Sequence, residues 1–593
     1  MQDWFDVAKK IESLVISAAK AAALDMELFT PDVRPADPRF GDLQANGALP
    51  YAKRQKTNPR QIAQSLVERL QSNPEATENA EISIAGPGFI NFKLKPAFQL
   101  KWLNAFSKAE ALKEAAQTLH AGETVVVDYG SPNTAKQMHV GHIRSIVIGE
   151  AICRLLEFCG ATVIRDNHIG DWGTPYGKLF YAYKRHLDKA ALEKDPLEEL
   201  ERLYKLGSKL AADEAVLEEC REELVKLQGG DPESMALWKQ VNDLSIQGLE
   251  TVYKQLDVKY DHYLGESFYR DKVDQVYREL EDASLSETSK GALVVFHPEH
   301  PRYNEQPFIV RKSDGASNYA TTDLATMLYR QEHLKATSIV ILTDSRQKDH
   351  FEQLDLTTQK WFEKTGRKMP QFSHVMFGSI NGEDGKPIKS RSGDPIRLRQ
   401  LLEEAVERAA KIVAAKNEEK KANGQEGLSE SEIAEIAKVI GISAIKYADL
   451  SQNRTSDYVF AWDKLLSFEG NTAPYLLYAG VRIQSIFRKL DANELETAEK
   501  LASPFSTLEE QALASKLISF IGVLQNTVET LRPHVLCTYL YELASVYSTF
   551  NSANKVLVDE ADVKARRLLL CQRTLLTLQT GLSLLGIPTL SRM

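Results

Sequence analysis

Asp128-Tyr129-Gly130-Ser131-Pro132-Asn133-Thr134-Ala135-Lys136-Gln137-Met138-His139-Val140-Gly141-His142 is the stretch on which the fold turns. Before it, Glu123-Thr124-Val125-Val126-Val127 is a β-branched run suited to a buried parallel strand. After it, Ile143, Ile146, Val147, Ala151, Ile152, Leu155 and Leu156 recur at helical spacing, and Gly160 stands where a C-terminal cap belongs. Ala161-Thr162-Val163-Ile164 then returns to strand-forming residues, so strand, turn, helix and strand make one βαβ unit.

The turn carries more polar groups than a connector needs. Pro132 and Gly141 shape the backbone, and Gly141 lets a flat ring approach closely. His139 and His142 fall where a helix N-terminus leaves free N–H donors, an arrangement suited to a polyphosphate. A lone His-x-Gly-His fits equally a tight loop whose histidines are satisfied locally. The flanking residues decide between the two.

At 593 residues the chain is too long for one core and should divide into several domains. Its 43% hydrophobic and 26% charged residues are those of an ordinary soluble globular protein. A net charge of −9 argues against a uniformly basic nucleic-acid binder, so any RNA would be held by local patches. Cys153, Cys159, Cys220, Cys537 and Cys571 form no Cys-x-x-Cys pair, which argues against a disulfide framework or structural zinc. No metal-ligand cluster is evident. The N-terminus lacks the apolar core of a secretory signal, and no run approaches the roughly 18 apolar residues of a membrane span. A cytoplasmic monomer without membrane contact is expected.

Taken in order, helical periodicity at 1–24 and 61–71 and alternating residues from Glu81 to Leu94 predict a small α+β domain over 1–115. An α/β domain built on the βαβ unit follows over 116–415, with a charge-rich helical insertion at about 178–285. Its second half shows strands at Ala292–Phe296, Phe308–Arg311 and Ser338–Leu342. Asp344 to His350 stand at the C-terminal end of the last, the ligand-binding edge of an open α/β sheet. Residues 375–395 read as a basic, glycine-rich loop with Lys386, Lys389 and Arg391. Asn417 to Gly427 reads as a hydrophilic linker without core residues, and 428–593 as an all-α bundle.

Ser131-Pro132-Asn133, Lys136 and His139-Val140-Gly141-His142 with Arg144-Ser145 resemble the HIGH signature of class I aminoacyl-tRNA synthetases, in its arginyl-tRNA synthetase form. Asn167-His168-Ile169-Gly170-Asp171-Trp172-Gly173, Tyr319-Ala320-Thr321-Thr322-Asp323, and Asn471-Thr472-Ala473-Pro474-Tyr475 with Tyr478 resemble the same family, in order and across most of the chain. The resemblance implies an α/β fold: a Rossmann-like HIGH-type domain, an N-terminal domain for the tRNA elbow and an α-helical anticodon-binding bundle. It implies ATP-dependent activation of L-arginine and transfer to tRNA-Arg, with Mg²⁺ arriving with ATP and activation requiring tRNA. A non-catalytic tRNA-binding paralogue, or a class I synthetase for another amino acid, is the alternative.

Residue by residue, the resemblance assigns Ser131, His139, Gly141 and His142 to ATP, and Asp128, Asn133, Tyr319, Asp323 and Gln347 to arginine. Phe89 and Asn91 would meet the tRNA elbow. Tyr475, Tyr478, Arg482, Tyr547 and the terminal Met593 would also meet tRNA, although aromatics at helical spacing also suit a core. The second class I signature, Lys-Met-Ser-Lys-Ser, has only a degenerate counterpart in Lys386-Pro387-Ile388-Lys389-Ser390-Arg391, which a plain surface loop would match as well. In relatives with this degeneracy the lysine before the HIGH motif is thought to compensate, and Lys136 holds that place. Catalysis is thus expected from Lys136, His139 and His142 through positioning and electrostatic stabilisation, without a protein nucleophile.

Overall fold

The computed structural model describes every residue except Pro38, Asp314, Ala316, Ser317, Pro387 and residues 389–394, together with all side chains but those of Ala492 and Asn493 in the remainder. The chain forms two compact units, residues 120–466 and residues 1–119 with 467–593.

In the first, four parallel strands, β1 (Thr124–Asp128), β2 (Thr162–Asp166), β3 (Ser338–Asp344) and β4 (Gln371–Phe377), lie in the order β2-β1-β3-β4. Val125, Val126 and Val127 are buried, as the continuous apolar run of β1 requires. Helix α1 (His142–Phe158) carries the chain from β1 to β2. Tyr129 packs so tightly on it that a Cβ at Gly149 would lie 2.3 Å from the tyrosine ring, and the Tyr129 hydroxyl donates to Glu150 at 2.8 Å. The strand order reverses between β1 and β3, which leaves a crevice beyond their C-terminal ends.

From β2 to β3 the chain crosses helices lying between Pro175 and Asp282, among them α2 (Pro196–Leu210). Leu179, Phe180, Leu200, Leu203, Leu227 and Val241 give these helices a core of their own. An antiparallel sheet of Ser286–Ser289, Ala292–Val295 and Phe308–Arg311 follows, then α3 (Tyr319–Glu332). The Asn318 side chain starts α3 by accepting from the Thr321 N–H at 3.2 Å. Leu324 and Met327 of α3 pack with Ile339 and Ile341 of β3 and with Trp361.

The same helix sends Arg330, wholly buried, beneath the strand ends. Its Nη2 donates to Asp128 at 2.6 Å and to Asp166 at 2.8 Å. Burial and the Asp128 charge push the Asp166 carboxyl up while Arg330 opposes them, so one guanidinium holds two strand-terminal acids in place.

The expected linker at 417–427 is corrected by the structure. Helix α4 (Leu398–Ala422) takes up its first half, and Asn417 is buried, its Oδ1 accepting from the Leu428 N–H at 2.6 Å. This polar bridge turns the chain into α5 (Glu430–Leu450), which packs on α4 and α1 and so belongs to the unit of residues 120–466.

The other unit combines both ends of the chain. Val33–Pro35, Leu43–Ala45, Phe89–Leu94 and Ala80–Ala85 form an antiparallel sheet in that spatial order. The later segment is helical, from Ala473–Phe487 to Ala561–Leu584. Gln99 Nε2 donates to Ser515 Oγ at 2.7 Å, and the Arg573 guanidinium donates to the carbonyls of Leu103 and Ser107, both at 2.9 Å. These bonds satisfy buried polar groups that neither segment could pair alone. No helix among the described residues is long and apolar enough to cross a membrane.

Replacing Arg330 by Leu leaves two buried carboxylates without their cation and should destabilise this unit by about 3–5 kcal/mol. Scanning calorimetry would read the loss, and adding Asp128→Asn with Asp166→Asn should recover most of it.

Candidate active site

A cavity of about 450 Å³ occupies the crevice between β1 and β3. Gly130 and Ser131 line it after β1, His139 to His142 with Arg144 and Ser145 at the start of α1, Asp344, Arg346 and Gln347 after β3, and Gly378 to Ile380 after β4. Ser131 adopts a left-handed backbone (φ 46°), its N–H donating to Asn167 Oδ1 at 3.0 Å and its hydroxyl to Asp128 at 3.2 Å. Gly170 N–H donates to the Pro132 carbonyl and Thr134 N–H to that of Gly170, both at 3.1 Å. A Cβ at Gly170 would fall 2.1 Å from Asn133 Oδ1, so the Asn167–Gly173 stretch braces the turn from behind.

The two signature histidines touch, with ring centroids 4.1 Å apart. Gly141 N–H donates to His139 Nδ1 and His139 N–H to His142 Nδ1, each at 3.1 Å; the second is the shorter of the His142 ring's two contacts with His139. With Nδ1 accepting, each neutral ring carries its proton on Nε2. Burial, aided by the neighbouring ring, holds the His142 imidazole down at about 3, and burial lowers His139 as well. At neutral pH both are uncharged hydrogen-bond donors rather than cations.

Positive charge must therefore come from elsewhere, and Lys136 does not line the cavity. Its Nζ lies 4.2 Å from the centroid of the Tyr204 ring on α2, a cation–π contact that holds it aside. Arg346 does line it, forked onto Asp344 at 2.8 and 3.0 Å. Lys386 is exposed, its N–H donating to Asp384 at 3.1 Å, while Lys389 and Arg391 lie outside the described residues.

Of the residues expected at an amino-acid pocket, Gln347 lines the cavity and Asn133 is exposed at its approach. Asp128 is buried and committed to Arg330, so it anchors the turn rather than offering a free carboxylate. Tyr319 is 72% exposed at the start of α3, and Asp323, one turn on, accepts from His350 Nε2 at 2.6 Å. Beside them stands Glu266, which sequence reasoning missed. Burial, with the charges of Asp171 and Asp323, pushes its carboxyl up to about 7, and Glu266 in turn is the main influence raising the Tyr319 phenol. Asp171 is itself raised by burial, its oxygens taken by Ser267. His350 bonds Asp323 and the charge of His168 opposes the rise of Glu266, yet burial still leaves this acidic cluster suited to a further cation. Nothing in the sequence separates Glu266 from the many acids of the helical insertion except its place in Gly265-Glu266-Ser267, at a helix start.

In the other unit, Phe89 is half-buried, but Asn91 is buried, its Oδ1 accepting from Gln44 Nε2 at 2.8 Å. The expected pairing of exposed aromatic and amide is thus not present: Asn91 shares the strand face of Phe89, opposite Ile90 and Phe92, but is enclosed beside Gln44 of the neighbouring strand. Tyr478 is 42% exposed with the Arg482 guanidinium 6.0 Å from its ring centroid, and Tyr475 is half-buried against Tyr541. Tyr547 is a core residue with its hydroxyl 4.0 Å from Cys571 Sγ, so it shapes the bundle instead of presenting a ring. Met593 is half-buried.

A family model described as "tRNA synthetases class I (R), catalytic domain" matches residues 106–462, flanked by an "Arginyl tRNA synthetase N terminal domain" at 9–94 and a "DALR anticodon binding domain" at 476–593. The chain belongs to the arginyl-tRNA synthetase family. Arginine–tRNA ligase of Cellvibrio japonicus is 44% identical over 93% of this chain and 94% of its own. The solved arginyl-tRNA synthetase of Plasmodium falciparum superposes with a TM-score of 0.83 at 28% identity, covering 99% of both chains. That of Thermus thermophilus shares the fold, with a TM-score of 0.81 at 24% identity over 99% of this chain and 100% of the other.

A carboxyl that titrates near 7 binds a cation only in its ionised form. Affinity for arginine, read by isothermal titration calorimetry, should therefore rise as pH goes from 6 to 8, and Glu266→Gln should flatten that dependence while weakening binding.

Proposed function

We propose that this synthetase joins L-arginine to ATP as arginyl-adenylate and transfers the arginyl group to the 3′-terminal ribose of tRNA-Arg, releasing AMP and pyrophosphate. The observation that carries it is the pairing of two chemically opposite sites at one sheet edge. Neutral imidazole donors stand at a helix N-terminus suited to phosphate, and an acidic cluster suited to a guanidinium lies beside α3.

In this scheme Asp323, Glu266 and Tyr319 receive the arginine side chain, and Asn133 and Gln347 hold its α-amino and carboxylate end towards the cavity. A carboxylate oxygen then attacks the α-phosphorus as the bond to pyrophosphate breaks. Ser131, Gly141 and the Nε2–H groups of His139 and His142 bind ATP and stabilise the charge that develops on phosphate oxygens. Lys136 must leave Tyr204 to join them; with Arg346, Lys386, Lys389 and Arg391 it supplies the positive charge that the histidines lack. Mg²⁺ is taken to enter bound to the phosphates of ATP.

For tRNA we propose contacts at Phe89, Tyr475, Tyr478, Arg482 and Met593, with Asn91 and Tyr547 supporting those surfaces from beneath. Tyr478 and Arg482 offer the stacking face and charge that an unpaired base needs. The domains are taken as 1–115, 116–415 and 428–593, with α5, at the start of the last in sequence, packed within the unit of residues 120–466. Five buried cysteines, none of them in a disulfide, suit a reducing cytoplasm, and a monomer is the proposed state.

ATP–pyrophosphate exchange tests the scheme. Exchange should depend on arginine and be stimulated by tRNA-Arg; no arginine dependence with or without tRNA would overturn it. Asp323→Asn should lower kcat/KM for arginine by roughly 10²-fold or more, since a site built for a cation's donors loses its discrimination with them. Lys136→Ala should lower kcat of exchange at least about tenfold, given what a point charge contributes to a phosphoryl transition state. A loss within a few-fold would remove Lys136 from catalysis.

A further inference from the structure

Arg144 lies two residues beyond His142, one turn into α1, and is 1% exposed. None of the roles assigned above uses it. Its Nε donates to Asp449 of α5 at 3.2 Å, its Nη1 donates to the Ser456 carbonyl at 3.0 Å, and its guanidinium sits 5.3 Å from the Tyr458 ring centroid. Tyr458 in turn hydrogen-bonds Asp449. Asp449 is 1% exposed, so this is a fully desolvated ion pair finished by an aromatic face and a carbonyl.

What the guanidinium grips is the partner of the opposite cavity wall. Tyr458 and Val459 pair in parallel with Ile380 and Asn381. Tyr458 N–H donates to the Ser379 carbonyl at 3.2 Å, Gly378 N–H to that of Arg454 at 2.9 Å, and Ser379 N–H to Asp457 Oδ1 at 2.6 Å. A Cβ at Gly378 would come within 2.6 Å of the same Asp457 oxygen, so the two segments are pressed together. Gly378, Ser379 and Ile380 form one side of the cavity, and His139 to Ser145 form the facing side.

We propose that Arg144 is a positioning residue that fixes the spacing between these two walls, and through it the fit of the nucleotide, independently of the arginine site. A surface pair would be too weak for this, whereas this buried guanidinium, with Nε 3.2 Å from both Asp449 oxygens and Nη1 on the Ser456 carbonyl while Nη2 has no hydrogen-bond partner among the described residues, cannot shift without losing bonds that nothing around it replaces. The acidic cluster around Glu266 and Asp323 is carried by other elements and does not touch this network. The inference rests on ATP activation at this cavity.

The test measures ATP and arginine parameters separately in tRNA-stimulated exchange, with melting temperature alongside. Arg144→Lys keeps the charge but loses the planar group that bonds Asp449 and the Ser456 carbonyl together; kcat/KM for ATP should fall on the order of 10²-fold, as for a misplacement of about 1 Å, with KM for arginine within about twofold. Tyr458→Phe, which removes one hydroxyl, should move the ATP term in the same direction by less, and it decides the matter if Arg144→Lys does not fold. Arg144→Met paired with Asp449→Leu, which restores packing without charge, should keep the melting temperature yet leave the ATP term worse than Arg144→Lys does. Parallel losses for ATP and arginine, or an unchanged ATP term in a folded variant, would overturn the inference. Absence of exchange in the unsubstituted enzyme would instead overturn the activation scheme itself.

Discussion

A single buried guanidinium, that of Arg330, makes the ligand edge of this sheet possible. Parallel strands that end in Asp128 and Asp166 bring two carboxylates into a space without water, where neither could stay charged alone. Arg330 reaches both from α3, the helix that also carries Asp323 two turns earlier and Tyr319 three. The ends of β1 and β2, the turn after β1 and the start of the amino-acid pocket are thereby referred to one cation. Asp128 then has an oxygen for Ser131, and the turn enters α1 with its histidines at the helix N-terminus.

From that edge the two halves of the reaction divide by electrostatics. On the proposed nucleotide side the two imidazoles at the helix N-terminus are neutral donors, and the cations that line the same cavity, Arg144 and Arg346, are each paired with an acid, Asp449 and Asp344. On the proposed amino-acid side the Glu266 carboxyl is raised first by burial and then by the charges of Asp171 and Asp323, against that of His168. A guanidinium would favour its ionised form, which is the proposed basis of selectivity for a cationic side chain.

The helical insertion and α5 hold these halves in register. Glu198 and Glu201 of α2 pair with Arg397, whose neighbours exchange backbone bonds with Met138 and Val140 of the signature turn. Tyr204, further along α2, holds Lys136. Segments that read in sequence only as charged, solvated helix thus touch both sides of the nucleotide turn. In the other unit, the chain's two ends are joined by hydrogen bonds from Gln99 and Arg573 rather than by apolar packing alone.

The βαβ unit, the strand at Ser338–Leu342, the helix begun at Asn318 and the helical C-terminal segment were legible because each depends on a local pattern: a β-branched run, a capping residue, a helical repeat. The identity of the family was legible in motifs whose residues are close in sequence. Charge partnership was not, since Arg330, Glu266 and Asp449 take their meaning from residues about 50 to 300 positions away, and side-chain type says nothing about which distant acid or base it will meet. Asn417 looked like linker and is a buried bridge; Asn91 and Tyr547 looked available and are enclosed. The sequence by itself determined the strand-turn-helix that binds a nucleotide and the family that uses it. Only the tertiary structure decided which charges are spent on holding the fold and which are left for a ligand, because desolvation and pairing are set by what packs around a group, not by its neighbours in the chain.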